Sequence, residues 1–339
     1  MPVTIKQIAA HSGLSLQTVS RILNNREGQY RPETRRRVLE AAQHLGYLPN
    51  SSARAMRTGS FGAVALLLGS DPISSLLPAL LLDGIFEGLE EQGLHLTVTR
   101  LPDQNLTDEG FVPKILREWG VDGLLVNYNT DIPPQMVALI DQHAVPAVWI
   151  NSKQDHDCVY PDDVAGGRQA AEHLLDLGHR RITYLNFFQG AHYSSVDRCR
   201  GYREAMRAAG LPAPPAHTIS APAGFPDLDS LTEWLRRGDR PTAVIAYTPD
   251  VTAPLLYAAA AAGLSVPHDL SVITFNDSNR AGVGRPVDAV LLPEHRMGAV
   301  AVEMLTDKIE DRTRCLPPCA LPFTLAAGFT SAPPRSPSL

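Results

Sequence analysis

Apolar and polar positions follow two regimes along the chain. Over the first 46 residues the spacing is helical. Thr4-Ile5-Lys6-Gln7 has the form of a capping box, with Thr4 at the cap and Gln7 reaching back. Ile5, Ile8 and Ala9 then share one face, and Gly13 ends the helix. Ser15 opens a second helix over Leu16–Leu23. Pro32-Glu33-Thr34, with proline in the first helical position, opens a third. Its predicted core face is Val38, Leu39, Ala42 and Leu45, and Gly46 stops it. From residue 61 short apolar runs alternate with amphipathic stretches. Predicted strands are Ala63–Leu68, Leu94–Thr99, Gly123–Val126 and Ala147–Ile150, separated by helices Leu80–Gln92, Gly110–Trp119 and Pro134–His143. In a second series, helices Val164–Leu177, Val196–Ala209, Leu228–Arg237 and Pro254–Ala262 lead to strands Arg181–Leu185, Thr218–Ser220, Ala243–Tyr247 and Ser271–Phe275. Strands alternating with helices predict parallel sheets, and two series predict an α/β body of two doubly wound lobes behind an all-α head.

The 339 residues suit two or three domains. No apolar run approaches the roughly 20 residues of a membrane span. The stretch MPVTIKQIAAHSG lacks the basic-then-apolar layout of a signal peptide, and four cysteines make no disulfide framework. These features predict a bacterial cytoplasmic protein with no membrane partner. The net charge of −6 conceals an asymmetry: residues 1–60 hold nine Lys/Arg and three acids, the remainder 21 and 33. A basic head on an acidic body suits a polyanion partner for the head alone.

Small Ala9, turn-forming Gly13 and apolar Val19 have the spacing of a helix-turn-helix. If the second helix enters a major groove, its N-terminal residues meet base edges. Gln17 then suits adenine, Arg21 guanine, and Leu16 a thymine methyl. Ser15, Thr18 and Ser20, together with Thr4 and Asn24, are candidates for phosphate contacts. The plainer reading makes Gln17 and Arg21 ordinary exposed helix residues; the basic segment and the three-residue turn signature weigh against it.

VTIKQIAAHSGLSLQTVSRILNN followed by RPETRRRVLEAAQHLGYLPNSSARAMRTG closely resembles the head of the lac-repressor (LacI/GalR) family. The resemblance implies a hinge helix after residue 47 that folds on the operator and wedges an apolar side chain into the minor groove. Met56 holds the wedge position, where the family has Leu, and Arg54 and Arg57 would hold phosphates beside it. Arg31 replaces a usual Ser cap on the third helix. VDGLLVNY, PDDVAGGRQAAEHLLDLGHRRITYL, DRCRGYREAMRAAGL and LSVPHDLSVITFND look like the family's periplasmic-binding-protein-like body. The implied layout is a helix-turn-helix domain at 1–46, a hinge at 47–60, an effector-binding and dimerisation domain at 61–333 and a tail at 334–339. The lobes would comprise 61–158 with 292–318, and 159–291 with 319–333. Crossings fall near Asp157–Asp163, Ala289–Pro293 and Leu316–Phe323, and helix Glu294–Ile309 returns to the first lobe. The Pro/Ser-rich tail from Ser331 is expected to be disordered and carries no leucine heptads for tetramer formation.

Ligands of α/β sheets bind at the carboxyl ends of strands. The resemblance places the effector-binding arginine at Arg198, in an Arg-x-x-Gly-Tyr pattern, with His192, Ser194, Phe225, Thr248, Asn276 and Leu77 as further contacts. Asn276 replaces the family's Asp, which predicts an Arg198 guanidinium without a carboxylate neighbour. Such a group suits an anion or a strongly hydrogen-bonding ligand; a neutral sugar held by Arg198, Asn276, His192 and Thr248 against Phe225 is preferred. No Gly-x-Gly-x-x-Gly follows a strand and no Walker loop occurs. His192, Ser194 and Asp197 are expected to lie too close in sequence to face one another as a triad, and no Gly-x-Ser-x-Gly surrounds Ser194. Cys315 and Cys319 lack Cys-x-x-Cys spacing and read as structural. The expectation is therefore a ligand-responsive, sequence-specific DNA-binding repressor of carbohydrate or related genes. It is expected to be a homodimer on a palindromic operator, without cofactor, metal or catalysis. A solute-binding protein for a transporter is the rival that the body alone would permit.

Overall fold

The computed structural model describes residues 3–23, 30–47, 59–69, 76–100, 107–109, 118, 120–187, 192–218, 227–278, 280 and 284–335. The chain divides into two compact units, Met1–Phe61 and Gly62–Leu339.

The first unit holds α1 (Ile5–Ser12), α2 (Leu16–Leu23) and α3 (Pro32–Leu45). Gln7 Oε1 accepts from the Thr4 backbone N–H at 2.8 Å, closing the predicted box. Gly13 caps α1 in the left-handed region at φ 64°. Ile8, Val19, Ile22, Val38, Ala41 and Ala42 form the core. Leu39 was expected inside but is 46% exposed. The inward stripe runs Val38, Ala41, Ala42 and Leu45, the i, i+3, i+4, i+7 spacing, and Leu39 lies about 100° off it. Arg31 at the α3 cap makes no side-chain capping bond.

The second unit contains two sheets. One is built from β1 (Ala63–Leu68), β2 (His95–Arg100), β3 (Gly123–Asn127), β4 (Ala147–Ile150), β5 (Cys158–Pro161) and β10 (Cys319–Leu321). Its order is β10-β5-β4-β3-β1-β2, parallel throughout. The other holds β6 (Ile182–Leu185), β7 (Ala243–Ala246), β8 (Ser271–Asn276), β9 (Asp288–Leu291) and β11 (Thr324–Ala326) in the order β11-β9-β8-β7-β6, with only β11 antiparallel. The helices are α4 (Ala79–Gln92), α5 (Pro134–Gln142), α6 (Asp163–Asp176), α7 (Tyr193–Ala208), α8 (Leu228–Arg236), α9 (Pro249–Ala261) and α10 (Glu294–Glu310). Period-two alternation explains the runs of buried residues: Val64, Leu66 and Leu68 of β1 face α4 and α10, while Ala65 and Leu67 face α5. In the second lobe, Tyr184, Ile245, Ile273 and Phe275 pack beneath α6 and α7, and Leu185, Val244, Ala246 and Val272 beneath α8 and α9.

The chain crosses between lobes after β5, after β9 and between β10 and β11. These crossing segments are themselves short strands, which the sequence reading did not separate. Cys158–Pro161 and Cys319–Leu321 pair in the first sheet, so the expected lobe edges at 158 and 318 each move outward by about three residues. Helix α9 begins at Pro249, not Pro254: either proline could open a helix, and the chain uses the earlier one and tolerates Pro254 inside. His217 makes a single bridge to Leu185, and Thr218, where a strand is expected to begin, is in none; the rest of the strand expected at Thr218–Ser220, and nearly all of the helix expected at Gly110–Trp119, lie outside the described residues. The start of the expected disordered tail is fixed instead. Ala332 O accepts from Ser271 Oγ at 3.0 Å, and Arg335 pairs with Asp269 at 2.7 Å.

Two glycine crossings set the geometry of the site. A Cβ on Gly167 of α6 would collide with the Arg198 carbonyl of α7, and one on Gly201 with the Val164 carbonyl. The backbones of α6 and α7 therefore touch, which brings Arg198 against the start of α6. Gly84 of α4 and Gly298 of α10 make the same kind of contact in the first lobe.

Candidate functional site

In the head, Leu16 and Gln17 are exposed, and Ser20 and Arg21 half-buried on the same side of α2, while Val19 and Ile22 point into the core. At 100° per residue, positions 16, 17, 20 and 21 span one outward arc. An outward Leu at 47% exposure beside Gln17 is an apolar group in a position to meet a base. Ser15 Oγ accepts from Thr18 N–H at 3.1 Å and lies 2.8 Å from Thr18 Oγ1. The Ser15 hydroxyl caps α2 and Thr18 Oγ1 hydrogen-bonds to it, a structural task that the phosphate assignment did not include. Thr4 is exposed beside its own cap. Asn24, Arg54, Met56 and Arg57 lie outside the described residues.

In the body, His192 and Ser194, Thr248 and Asn276 lie at or after the carboxyl ends of β6, β7 and β8 in the second lobe, and Arg198 lies on α7. Arg198 is buried. Its Nε donates to Asp163 Oδ1 at 2.7 Å and its Nη1 to the Tyr247 carbonyl at 3.1 Å. The guanidinium lies 4.4 Å from the Phe275 ring centre and 5.1 Å from that of Tyr247. The expectation of an arginine without a carboxylate neighbour is overturned. Asp163, 35 positions earlier, takes the role that loss of the acid at Asn276 had seemed to leave empty. Burial pushes the Asp163 carboxyl up from its ordinary range, and Arg198 opposes this.

A directed hydrogen-bond chain runs beside the pair. Burial, with Arg198 and Lys153 adding to it, holds His192 down at about 4, against the pull of the Asn151 carbonyl. A neutral His192 donates from Nε2 to Asn151 O at 3.1 Å, and its Nδ1, 2.8 Å away, accepts from Ser194 Oγ. Ser194 Oγ in turn accepts from Tyr247 OH at 2.9 Å. His192 and Ser194 meet because His192 is the N-cap of α7 and its ring folds back over the first turn. The arrangement is a cap, and the histidine's second nitrogen faces a carbonyl, not Asp197. Asp197 is taken by Lys153 and by Arg200 at 3.1 Å. Asn151, at φ 53°, adopts the left-handed conformation that aims its carbonyl across the lobes.

Thr248 is the N-cap of α9, and its Oγ1 is buried without a hydrogen-bond partner. Asp163 Oδ2 and Glu294 Oε2 share this condition. Asn276 is half-buried and donates from Nδ2 to Ser278 O at 2.8 Å, closing a turn. Leu77 packs on the first-lobe core, and Phe225 lies outside the described residues. The sequence reading missed Asp163, Tyr247 and Glu294. A second acid directly after the capping Asp162 was the available signal for Asp163; Tyr247 and Glu294 each sit one or a few residues beyond a strand end. His179 is buried and joins Thr242 (2.9 Å), Ser271 (3.0 Å) and Ala332 O (2.9 Å). The four cysteines are free thiols. His156, Asp157 and Cys315 cluster, but the Asp157 carboxylate is already held by Lys308, His156 and the Leu316 N–H. Among the described residues no helix is long and apolar enough to cross a membrane.

Residues 4–50 match the family described as bacterial regulatory proteins, lacI family, and residues 171–328 match a periplasmic binding protein-like domain. The chain is 30% identical over 305 residues to the HTH-type transcriptional regulator DegA of Bacillus subtilis (strain 168), covering 88% of this chain and 89% of that protein. A crystal structure of the lac repressor dimer bound to operator and an anti-inducer superposes with a TM-score of 0.79 at 22% identity, over 98% of this chain and 100% of that one. A complex of the transcriptional regulator CelR with cellobiose gives 0.63 at 26%, over 97% and 100%.

Proposed function

This chain belongs to the lacI family of bacterial regulatory proteins and is a DNA-binding transcriptional regulator, and we propose that its body senses a neutral polyhydroxy ligand, a sugar above all, whose binding sets operator affinity. The observation that carries the ligand class is the buried, unpartnered oxygens of Thr248 and of Asp163, the acid paired with Arg198. Buried acceptors are costly when unmet, and a ligand rich in hydroxyl donors meets them. A purely anionic ligand would face Asp163. The cellobiose complex of CelR supports a sugar in this fold.

We further read Leu16, Gln17 and Arg21 as base contacts and Thr4, Ser20 and Asn24 as phosphate contacts, with Ser15 chiefly capping α2 and Thr18 bonded to that cap. Arg54, Met56 and Arg57 are assigned to the hinge. A homodimer would place two α2 helices on a palindromic operator in the cytoplasm; the operator-bound dimer of the lac repressor supports this arrangement. The regulated genes are read as carbohydrate or related genes. The His192–Ser194 geometry favours a cap over a catalytic device, so the chain is read as a regulator and not an enzyme. The test is a thermal-shift screen of neutral, anionic and aminated sugars, followed by operator binding with and without each stabilising compound. A ligand of the folded body raises its apparent stability by mass action. Stabilisation confined to anionic compounds would refute the proposed class.

A further inference from the structure

Glu294 is the first residue of α10, reached directly from the β9 crossing. Its side chain lies in the first lobe's helix but is acted on by groups of the second lobe. It is 7% exposed and its Oε2 has no hydrogen-bond partner. Pro293, at the cap, contributes no side-chain bond. The charged groups that bear on it are Asp277, in the segment after β8, and Arg198 of α7. On its own helix, His295 is engaged by Glu87 of α4 at 3.1 Å and Arg296 by Glu303 at 2.9 Å, so neither serves as its counterion. Burial first, then Asp277, raise the carboxyl to about 7, against the pull of Arg198. Near neutral pH this group is present both as an acid that donates and as a carboxylate that accepts.

We propose that Glu294 is an effector-binding residue whose protonated carboxyl donates a hydrogen bond to a hydroxyl oxygen of a neutral polyhydroxy ligand, so that binding takes up a proton at this position. The inference rests on the sugar reading above and adds to it a contact and a sign. A neutral ligand removes the remaining water from the carboxyl and brings no positive charge, which favours the protonated form. Affinity for such a ligand falls as pH rises above 7, by at most tenfold per pH unit for one proton. An aminated sugar brings a cation, favours the carboxylate and reverses the sign. Glu294 thereby sorts neutral from cationic ligands.

The experiment uses the full chain carrying ¹³C-carboxyl glutamate. The Glu294 signal is identified by its loss in E294Q, with E294D as a second variant for assignment should the first fold poorly. The midpoint of its titration is measured in the unaltered chain alone and with glucose, cellobiose or glucosamine, each also assayed by thermal shift. The expected result is a midpoint near neutrality that moves upward with a stabilising neutral sugar and downward with glucosamine, and an E294Q affinity for that neutral sugar that no longer depends on pH. If a neutral sugar stabilises the chain while the midpoint stays fixed, the role of Glu294 is overturned and the sugar reading survives. If no probe stabilises the chain or moves the midpoint, the sugar reading falls and this inference falls with it.

Discussion

Replacing Arg198 by methionine tests the core of the cleft. The substitution keeps much of the side-chain volume and deletes the 2.7 Å bond to Asp163, the 3.1 Å bond to the Tyr247 carbonyl and the stacking on Phe275. Asp163, itself fully buried, is left without its counterion. It then either remains charged in apolar surroundings or takes up a proton. The second course sets the scale. Protonating a carboxyl with an unfolded pKa of about 3.9 at pH 7 costs about 4 kcal/mol at 1.36 kcal/mol per unit, within the roughly 3–5 kcal/mol seen when one partner of a buried pair is removed. The sign follows from proton counting. In R198M the native state holds a proton that the unfolded state has lost above pH 4; because burial already raises Asp163 in the unaltered chain, the deficit relative to that chain grows with pH only above that chain's own raised midpoint, and the figure of about 4 kcal/mol is its upper bound. Adding Asp163→Asn removes the charge, and the double variant should regain most of the loss and its pH dependence. Urea unfolding of the three variants at pH 5 and 7 measures the cycle. A deficit below about 1 kcal/mol for R198M, or one that is independent of pH, would refute the reasoning. The double variant, not Arg198→Ala alone, is then the proper protein in which to ask whether the effector response is lost while operator binding persists.

Other outcomes follow from single sites. Arg21→Ala should cost about 1–3 kcal/mol on the operator and relax preference at one base pair; unchanged preference in an operator-selection experiment would make Arg21 an ordinary helix residue. Ser15→Ala should destabilise the head by about 0.5–2 kcal/mol through the lost α2 cap, seen by thermal unfolding, and weaken binding without altering base preference. His192, held down at about 4, makes the body gain stability as pH rises from about 4 to its unfolded value near 6.5, on the order of 3 kcal/mol across that window. His192→Gln should abolish that gain in urea titrations, and an identical pH profile in the variant would remove His192 from the account. Met56→Ala should reduce operator bending while leaving ligand affinity of the body unchanged; equal bend angles would count against the wedge.

The parts of the fold set by local chemistry were legible in the sequence. The Thr4–Gln7 box, Gly13, Pro32 and Gly46 each act within one turn, and the three head helices begin and end where they predict. Strands β1 and β4 were placed to the residue because a buried parallel strand is one continuous apolar run bounded by polar positions. What escaped was short or tertiary. Strands β5, β9, β10 and β11 have three or four residues each, too few for a period to show, and they lie in or directly after segments read as crossings. The Asp163–Arg198 pair spans 35 positions and depends on backbone contact at Gly167 and Gly201, which no window of sequence displays. The motif around Arg198 named the arginine correctly and left its partner unnamed.

The acids of the cleft occupy a particular place in the chain. Asp163 and Glu294 are each the first residue of a helix entered from a crossing between lobes, one leading into the second lobe and one into the first. A change in lobe angle must be absorbed in the few residues before each helix; Asp163, held to Arg198 within one lobe, turns with it, whereas Glu294, on a helix of the other lobe, moves relative to it. Bonds outside these segments also bridge the lobes: Lys153 to Asp197, and His192 to the left-handed Asn151. An effector can shift an equilibrium between lobe arrangements only through contacts that differ between them. Groups at strand tips in the interior of one lobe change little when the lobes turn; groups at the crossings change most. On the proposed site, Glu294, more than Asp163, Thr248 or Asn276, would then convert ligand binding into a change of shape. A substitution at Glu294 should alter the difference in operator affinity between the liganded and ligand-free states more than it alters ligand affinity itself.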